Sequence, residues 1–297
     1  MVTLTVFTPT YNRSGLLKRL YVSLKQQTSN DFMWIIVDDG STDDTRNIVE
    51  GWIKESNSFE IKYIYKENGG LHTGYNTAIA NATTELMVPI DSDDYMPEDS
   101  VEKIVKFWKE NGSDDYAGII GLDYDTNGNL IGGEIPNVKT INPVDLTINT
   151  YNIKQGDRKY VVRTDLFKKY APMKVYEGEK CFNPHFMQLQ IGMEKPFLYY
   201  PEKLCIVDYQ NDGMSTYIYK QYYSSPNSFA DTRLLYLSFP KSPFKFVIKQ
   251  CIHYVSSCIL AHRKIFIKNL NHKMLIFCCL PLGWGLSILI KNKNKTG

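Results

Sequence analysis

The chain has 297 residues, 43% hydrophobic and 22% charged. That composition suits one large folded domain, or one domain with an appendage, and excludes a disordered polymer. The net charge of +2 hides an asymmetry: residues 1–240 carry 24 Lys+Arg against 32 Asp+Glu (−8), whereas residues 241–297 carry ten Lys+Arg and no acid (+10). A basic tail of this kind points to an anionic partner, and its basic residues interleave with long apolar runs, which favours a membrane surface over nucleic acid.

"TLTVFT" (Thr3 to Thr8) reads as a buried strand, and Leu16, Leu17, Leu20 and Leu24 then share one helical face. "MWIIV" is a second buried strand ending in "DDGSTDDT", followed by a helix from about Thr45 to Glu55. "IKYIY" is a third strand, leading into "NGGLHTG" and a short helix to about Ala82. "ELMVPI" is a fourth, delivering "DSDD". Pro97 suits the first turn of the next helix, whose Val101, Ile104, Val105 and Trp108 face inward and which Gly112 closes. "AGIIGL" is a fifth strand. The alternation predicts an α/β fold with a mainly parallel sheet flanked by helices.

After a loop-rich stretch to about residue 158, "KYVVRTDLFKKY" gives a strand and a helix, "YEGEKCFNPHF" a loop entering a helix, "KLCIVDYQNDGMS" a strand and turn, and "SPNSFADTRLLYLS" a helix. The domain is therefore expected to run over 1–240, in two halves, 1–122 and 123–240. The tail, 241–297, holds a charge-free run from Met274 to Ile290, short for a span of about 20 residues and interrupted by Pro281, Gly283 and Gly285. It is expected to lie in or dip into a membrane interface rather than pack as a plain helical pair. Six cysteines without a CxxC pair, and an N-terminus that enters a strand at once, suggest a reduced, cytoplasmic chain.

In parallel α/β sheets, ligands bind outside the carboxyl ends of the strands. "TPTYNR", "DDGSTDD", "NGGLHTGYN" and "DSDD" all follow strands directly, so they should share one rim. Three carboxylates within four residues, Asp91, Asp93 and Asp94, repel one another unless a cation or ligand relieves them. Acidic loops of this type suit Mn²⁺ or Mg²⁺ with a phosphorylated ligand. Neither GxxxxGK[ST] nor a GxGxxG after the first strand is present.

These four motifs, in this order and spacing, resemble the family 2 glycosyltransferases of the GT-A (Rossmann-like) fold, closely over residues 1–122 and more loosely through "EGEK" and "DGMS" to about 240, where bacterial capsule and surface-polysaccharide enzymes are the nearest likeness. The resemblance implies an inverting transfer from a nucleotide-sugar, a UDP-sugar, to a hydroxyl of a surface glycan, lipid-linked at the inner face of the bacterial membrane. It implies that Pro9 and Tyr11 frame the base, that Asp39 accepts the uracil N3–H beside Asp38, and that Asn68, Gly70 and Asn76 lie near the ribose and diphosphate. Relatives often carry lysine where this chain has Leu71. Asp91, with Ser92 beside it, matches the carboxylate toward the ribose; Asp93 matches the metal ligand, with Asp91 sharing the site and Asp94 as substitute. For the base that deprotonates the acceptor the order is Glu179, Glu177, then His185, the last standing near a position where some relatives have Glu. Asp208 and Asp212 are further candidates for closing over the donor or touching the acceptor. The alternatives are an inactive, membrane-attached nucleotide-binding protein and a nucleotidyltransferase; a receiver-type signalling module is disfavoured by the 175 residues after 122.

Overall fold

The computed structural model describes residues 2–210, 218–265 and 272–296. Its chain groups into two compact units, Met1–Met173 with Met187–Gln210, and Lys174–Phe186 with Asn211–Gly297. The helix Pro226–Leu237 thus groups with the tail, whereas the sequence put the division at 240.

The first unit is built on one eight-stranded sheet of order β3-β2-β1-β4-β7-β5-β8-β6. Strands β1 (Leu4–Thr10), β2 (Phe32–Asp38), β3 (Glu60–Tyr65) and β4 (Leu86–Pro89) run parallel. β1, β2 and β4 are buried throughout, because helices cover both sheet faces and continuous apolar runs suit such strands. Helices α1 (Ser14–Lys25), α2 (Thr45–Lys54), α3 (Leu71–Asn81) and α4 (Ser100–Asn111) occupy the connections. Tyr21 of α1 and Trp52 of α2 stack at 4.3 Å between ring centroids, and Trp34 of β2 lies 6.0 Å from Trp52, which locks both helices to one sheet face.

Beyond β5 (Gly118–Asp125) the order is not the chain order. After β6 (Thr140–Ile141) and α5 (Pro143–Thr147), strand β7 (Arg158–Arg163) enters antiparallel between β4 and β5. α6 (Thr164–Tyr170) and α7 (His185–Glu194) then precede β8 (Phe197–Val207), which lies parallel to β5.

Two expectations near α4 differ. Tyr95 pairs its backbone with Ile206 of β8, N–H to O at 3.1 and 2.8 Å, so the chain stays extended there and the helix begins at Ser100 instead of Pro97. Gly112 ends the helix in extended conformation (φ −69°, ψ 147°) rather than left-handed.

The second unit holds α8 (Ile218–Ser224), α9 (Pro226–Leu237), α10 (Phe244–Leu260), α11 (Lys273–Cys278) and α12 (Leu280–Thr296); α9, α10 and α11 share a core of Leu237, Cys251, Tyr254, Val255, Cys258 and Ile276 with Leu280 of α12 packed against it, and α8 buries none of its own residues. All six cysteines are free. Among the described residues no helix is long and apolar enough to cross a membrane.

Candidate active site

The rim forms because β1, β2 and β3 end level with one another, Thr10 pairing with Asp38 and Asp38 with Tyr65, while β4 ends lower, with Pro89 against Phe7, and leaves its acidic loop to rise beside them. The loops that follow are tied by side-chain bonds. The Asn12 carboxamide oxygen accepts from the Thr42 N–H at 2.7 Å, and the Asn12 N–H donates to the Ser41 hydroxyl at 2.9 Å. Asp43, just ahead of α2, accepts from the Thr45 N–H and hydroxyl, and it also accepts from the Ser14 N–H, so it ties the start of α2 to the start of α1.

Asp38 and Asp39 are almost fully buried. Asp38 accepts from the Ser41 N–H and the Tyr63 hydroxyl at 2.8 and 2.6 Å, and so braces the turn. Asp39 gathers the next loop: it accepts from the Gly69 N–H at 2.9 Å, the Gly70 N–H at 2.7 Å and the Lys66 ammonium at 2.5 Å, and its carbonyl accepts from the Asn68 side chain at 2.8 Å. A carboxylate has about four lone-pair sites; the Gly70-facing oxygen Oδ2 keeps one. The approach requires glycine at 40. Its φ is +82°, and an added Cβ would lie 2.8 Å from the Asn68 nitrogen.

Pro9 is buried at the end of β1, packed against Gly74 of α3, while Tyr11 just beyond is 48% exposed and presents its ring. Asn76 does not reach the rim with its amide: nitrogen donates to the Met173 carbonyl at 2.9 Å and oxygen accepts the Met173 N–H at 2.8 Å, a two-point brace.

The acidic loop after β4 has an upper and a lower tier. Above, Asp93 accepts from Arg13 at 2.5 Å, and its carbonyl accepts from Arg19. Arg19 also pairs with Asp208 at 2.6 Å and lies over the Tyr95 ring. Asp91 is open to water on one side and crowded by protein on the others; that crowding, with Asp93 nearby, raises its carboxyl. Below, Ser92 and Asp94 are buried. Asp94 accepts the Asp208 N–H at 3.2 Å and lies 4.0 Å from the Lys159 ammonium, which is itself 3.8 Å from buried Asp123. Burial pushes Asp94 up to about 8 and Asp123 to about 6, with Lys159 opposing the shift in both. Lys159 stays charged: burial disfavours its ammonium, but Asp123, Asp94 and Asp91 outweigh that.

Among the described residues no three His, Cys, Asp or Glu side chains converge on one point as a complete metal cage. The upper tier nonetheless fits a hard divalent cation, which is commonly held by one or two carboxylates with water and phosphate oxygens completing its shell. Asp93 and Asp91 are the two carboxylates that could supply that pair. Asp94, buried and already hydrogen-bonded, belongs to the floor.

The acceptor-side candidates lie in the second unit. Glu179 is buried, and its oxygens accept four bonds from the start of α9: the Asn227 N–H and side chain at 2.7 and 2.9 Å, and the Ser228 N–H and hydroxyl at 2.9 and 2.7 Å. The α9 N-cap residue Ser225 makes no capping bond of its own. Glu179 is therefore the capping carboxylate of α9, with no lone pair left for a proton transfer. Glu177 is exposed on the same loop, and His185, half-buried, opens α7. Asp212 lies outside the described residues.

Sequence reasoning missed Arg13, Arg19, Lys66, Lys159 and Asp123. Each looks like an ordinary surface charge until the fold gives it a partner distant in sequence.

Comparison with known proteins settles the class. The model of "Glycosyl transferase family 2" matches residues 5–170, more than half of the chain and all four rim loops. The chain belongs to glycosyltransferase family 2. Curated relatives include the poly(ribitol-phosphate) beta-N-acetylglucosaminyltransferase TarP of Staphylococcus aureus, 32% identical over 127 residues, 41% of this chain and 38% of TarP. The putative teichuronic acid biosynthesis glycosyltransferase TuaG of Bacillus subtilis is 33% identical over 106 residues, 36% of this chain and 42% of TuaG. The curated relatives are matched over less than half of their length. Residues 1–349 of S. aureus TarS, solved with UDP-GlcNAc, match in fold with a TM-score of 0.58 at 17% identity, covering 100% of this chain and 92% of that one. The mannosyltransferase PcManGT of Pyrobaculum calidifontis, solved with GDP-Man and Mn²⁺, matches with 0.57 at 16% identity, covering 96% and 86%. The family 2 fold here is thus an α/β one with a mostly parallel sheet.

Proposed function

We propose that this family 2 glycosyltransferase moves a sugar from a UDP-sugar to a hydroxyl of a bacterial surface glycan, with inversion at the anomeric carbon and with a divalent metal. The observation that carries the reading is the meeting of the Tyr11, Asp39–Gly70 and Asp91–Asp94 loops on one rim at the carboxyl ends of β1 to β4. The UDP and UDP-GlcNAc complexes of TarS, and the cell-wall polymers in the names of TarP and TuaG, support the donor and acceptor classes.

In this reading the Tyr11 ring stacks on the base. Asp39 takes the uracil N3–H on the lone pair left at Oδ2, while holding Gly69 and Gly70 close to the diphosphate. Asn76 acts one step back, keeping α3 in place through Met173. Asp93 and Asp91 would hold Mn²⁺ or Mg²⁺, which when bound neutralises charge growing on the departing diphosphate. Asp94 and Lys159 set the height of the acidic loop from below. Arg13 sits on Asp93, and its guanidinium is a cation at this loop that could pair with phosphate oxygens of the donor. The acceptor proton goes to Glu177 or His185, since Glu179 is fully occupied. The acceptor is lipid-linked, and the protein works at the inner face of the membrane, with the tail as its attachment.

The saturation of Glu179 favours one second reading, a nucleotide-binding protein without transfer activity. The test is UDP release from a panel of UDP-sugars in Mn²⁺, with wild type, Glu177→Gln and His185→Ala. Turnover lost in one variant with UDP binding intact assigns the base. Binding without turnover of any donor sustains the second reading.

A further inference from the structure

α11 and α12 are amphipathic in an unexpected sense. The face turned into the second unit carries Ile276, Cys279, Gly283, Ser287 and Ile290, at the three- and four-residue spacing of one helical stripe. Small residues dominate it because α10 comes close: a Cβ on Gly283 would stand 2.4 Å from Val255 Cγ1. The opposite face carries the large side chains. Met274 is 83% exposed, Phe277 73%, Leu282 59% and Trp284 60%, with Ile288 and Leu289 continuing the stripe. No charge interrupts it from Met274 to Ile290, and Lys273, Lys291 and Lys293 bracket it. The helical hydrogen-bond ladder continues through the junction, Cys279 N–H to Leu275 O and Gly283 N–H to Cys279 O, both 2.9 Å.

We infer that α11–α12 is an in-plane membrane helix whose Met274–Leu289 face seats in the headgroup and acyl boundary of an anionic bilayer. This deepens the membrane attachment proposed above by naming the surface, its orientation and the lipid charge; it does not depend on the sugar chemistry. Three observations choose the occupant. The outward stripe is apolar with an aromatic at its centre, as interfacial helices require. The segment from 241 onward has ten basic residues and no acid, complementary to anionic lipid. The inward stripe is already packed on α10, Gly283 against Val255, so only the outer face is left to meet lipid and the stripe lies along the surface rather than across it.

Trp284 is exposed while Trp34, Trp52 and Trp108 are buried, so tryptophan emission reports the helix directly. The full chain is mixed with vesicles of phosphatidylcholine and phosphatidylglycerol in equal parts, or of phosphatidylcholine alone. The expected result is a blue shift and co-sedimentation with the anionic vesicles, weakened by salt. The double variant Phe277→Glu/Leu282→Glu changes exposed positions only; it should lower partitioning by about tenfold or more, with melting temperature and UDP binding unchanged. Equal partitioning of variant and wild type overturns the inference. So does resistance to alkaline carbonate extraction from cell membranes, which marks a spanning segment. A lipid-free dimer that the double variant dissociates, with no vesicle binding by wild type, gives the face to a second copy. Loss of UDP binding by wild type, with vesicle binding retained, sinks the nucleotide reading and leaves this one standing.

Discussion

The two halves of the rim solve the problem of buried charge in opposite ways. On the β2–β3 side, every carboxylate is met by donors. Asp38 has Ser41 and Tyr63, Asp39 has Gly69, Gly70 and Lys66, and at Asp43 hydrogen bonds from Thr45 and Ser14 overcome burial and hold the carboxyl below its ordinary range. On the β4 side, Asp91, Asp94 and Asp123 are all raised, with one lysine beneath them. The first half is preorganised before any ligand arrives. The second keeps its carboxyls raised, so that they hold protons more tightly than free ones, and a divalent cation would favour their ionised forms in place of those protons.

Substitutions should separate the halves. The largest effect is expected from Asp93→Ala, which should cut donor turnover by at least about a hundredfold, the scale seen when one group stabilising transition-state charge is removed. Circular dichroism should show the fold intact. Lys159→Met should act on stability instead, by about 3 kcal/mol at neutral pH, because it strands ionised, buried Asp123 without its cation. Urea denaturation measures this, and an unchanged midpoint would mean the lower tier is protonated and indifferent to the lysine. On the preorganised side, Gly40→Val should cost roughly 2 kcal/mol through its left-handed φ and the Asn68 contact. It should also weaken UDP binding in the absence of metal, since it displaces the loop that Asp39 gathers.

A further expected effect is a pH dependence. Asp123 has a folded value of about 6, above its unfolded one near 4. The folded state therefore holds that proton more tightly, and the stability contributed below about pH 4 is lost as pH rises through 6. Asp123→Asn removes this loss. Its melting temperature relative to wild type should climb between about pH 4 and 7; a constant difference would place Asp123 in a more polar setting than its burial implies.

The same division describes what could be read from the sequence. β1, β2 and β4 were legible because strands buried on both faces show continuous apolar runs, and their following polar loops had to share an edge. The insertion of β7 between β4 and β5 was not, because sheet order depends on pairings that leave no local pattern. Lys159 stands in "RKYVVR" like any exposed lysine, and only that insertion carries it beneath Asp94. Glu179 misled for a related reason: its loop resembles a catalytic one, but the start of α9, 48 and 49 residues on, takes both its oxygens. The tail's basic, acid-free composition was plain, whereas which of its residues face outward required the packing of Gly283 on Val255.

The most direct test of the two-sided rim is calorimetric titration with UDP, with and without Mn²⁺, of wild type and Asp93→Ala. The account predicts weak binding to both proteins without metal, through Tyr11 and Asp39. It predicts marked tightening by Mn²⁺ in wild type alone. Equal tightening in Asp93→Ala, or no UDP binding under any condition, would contradict it.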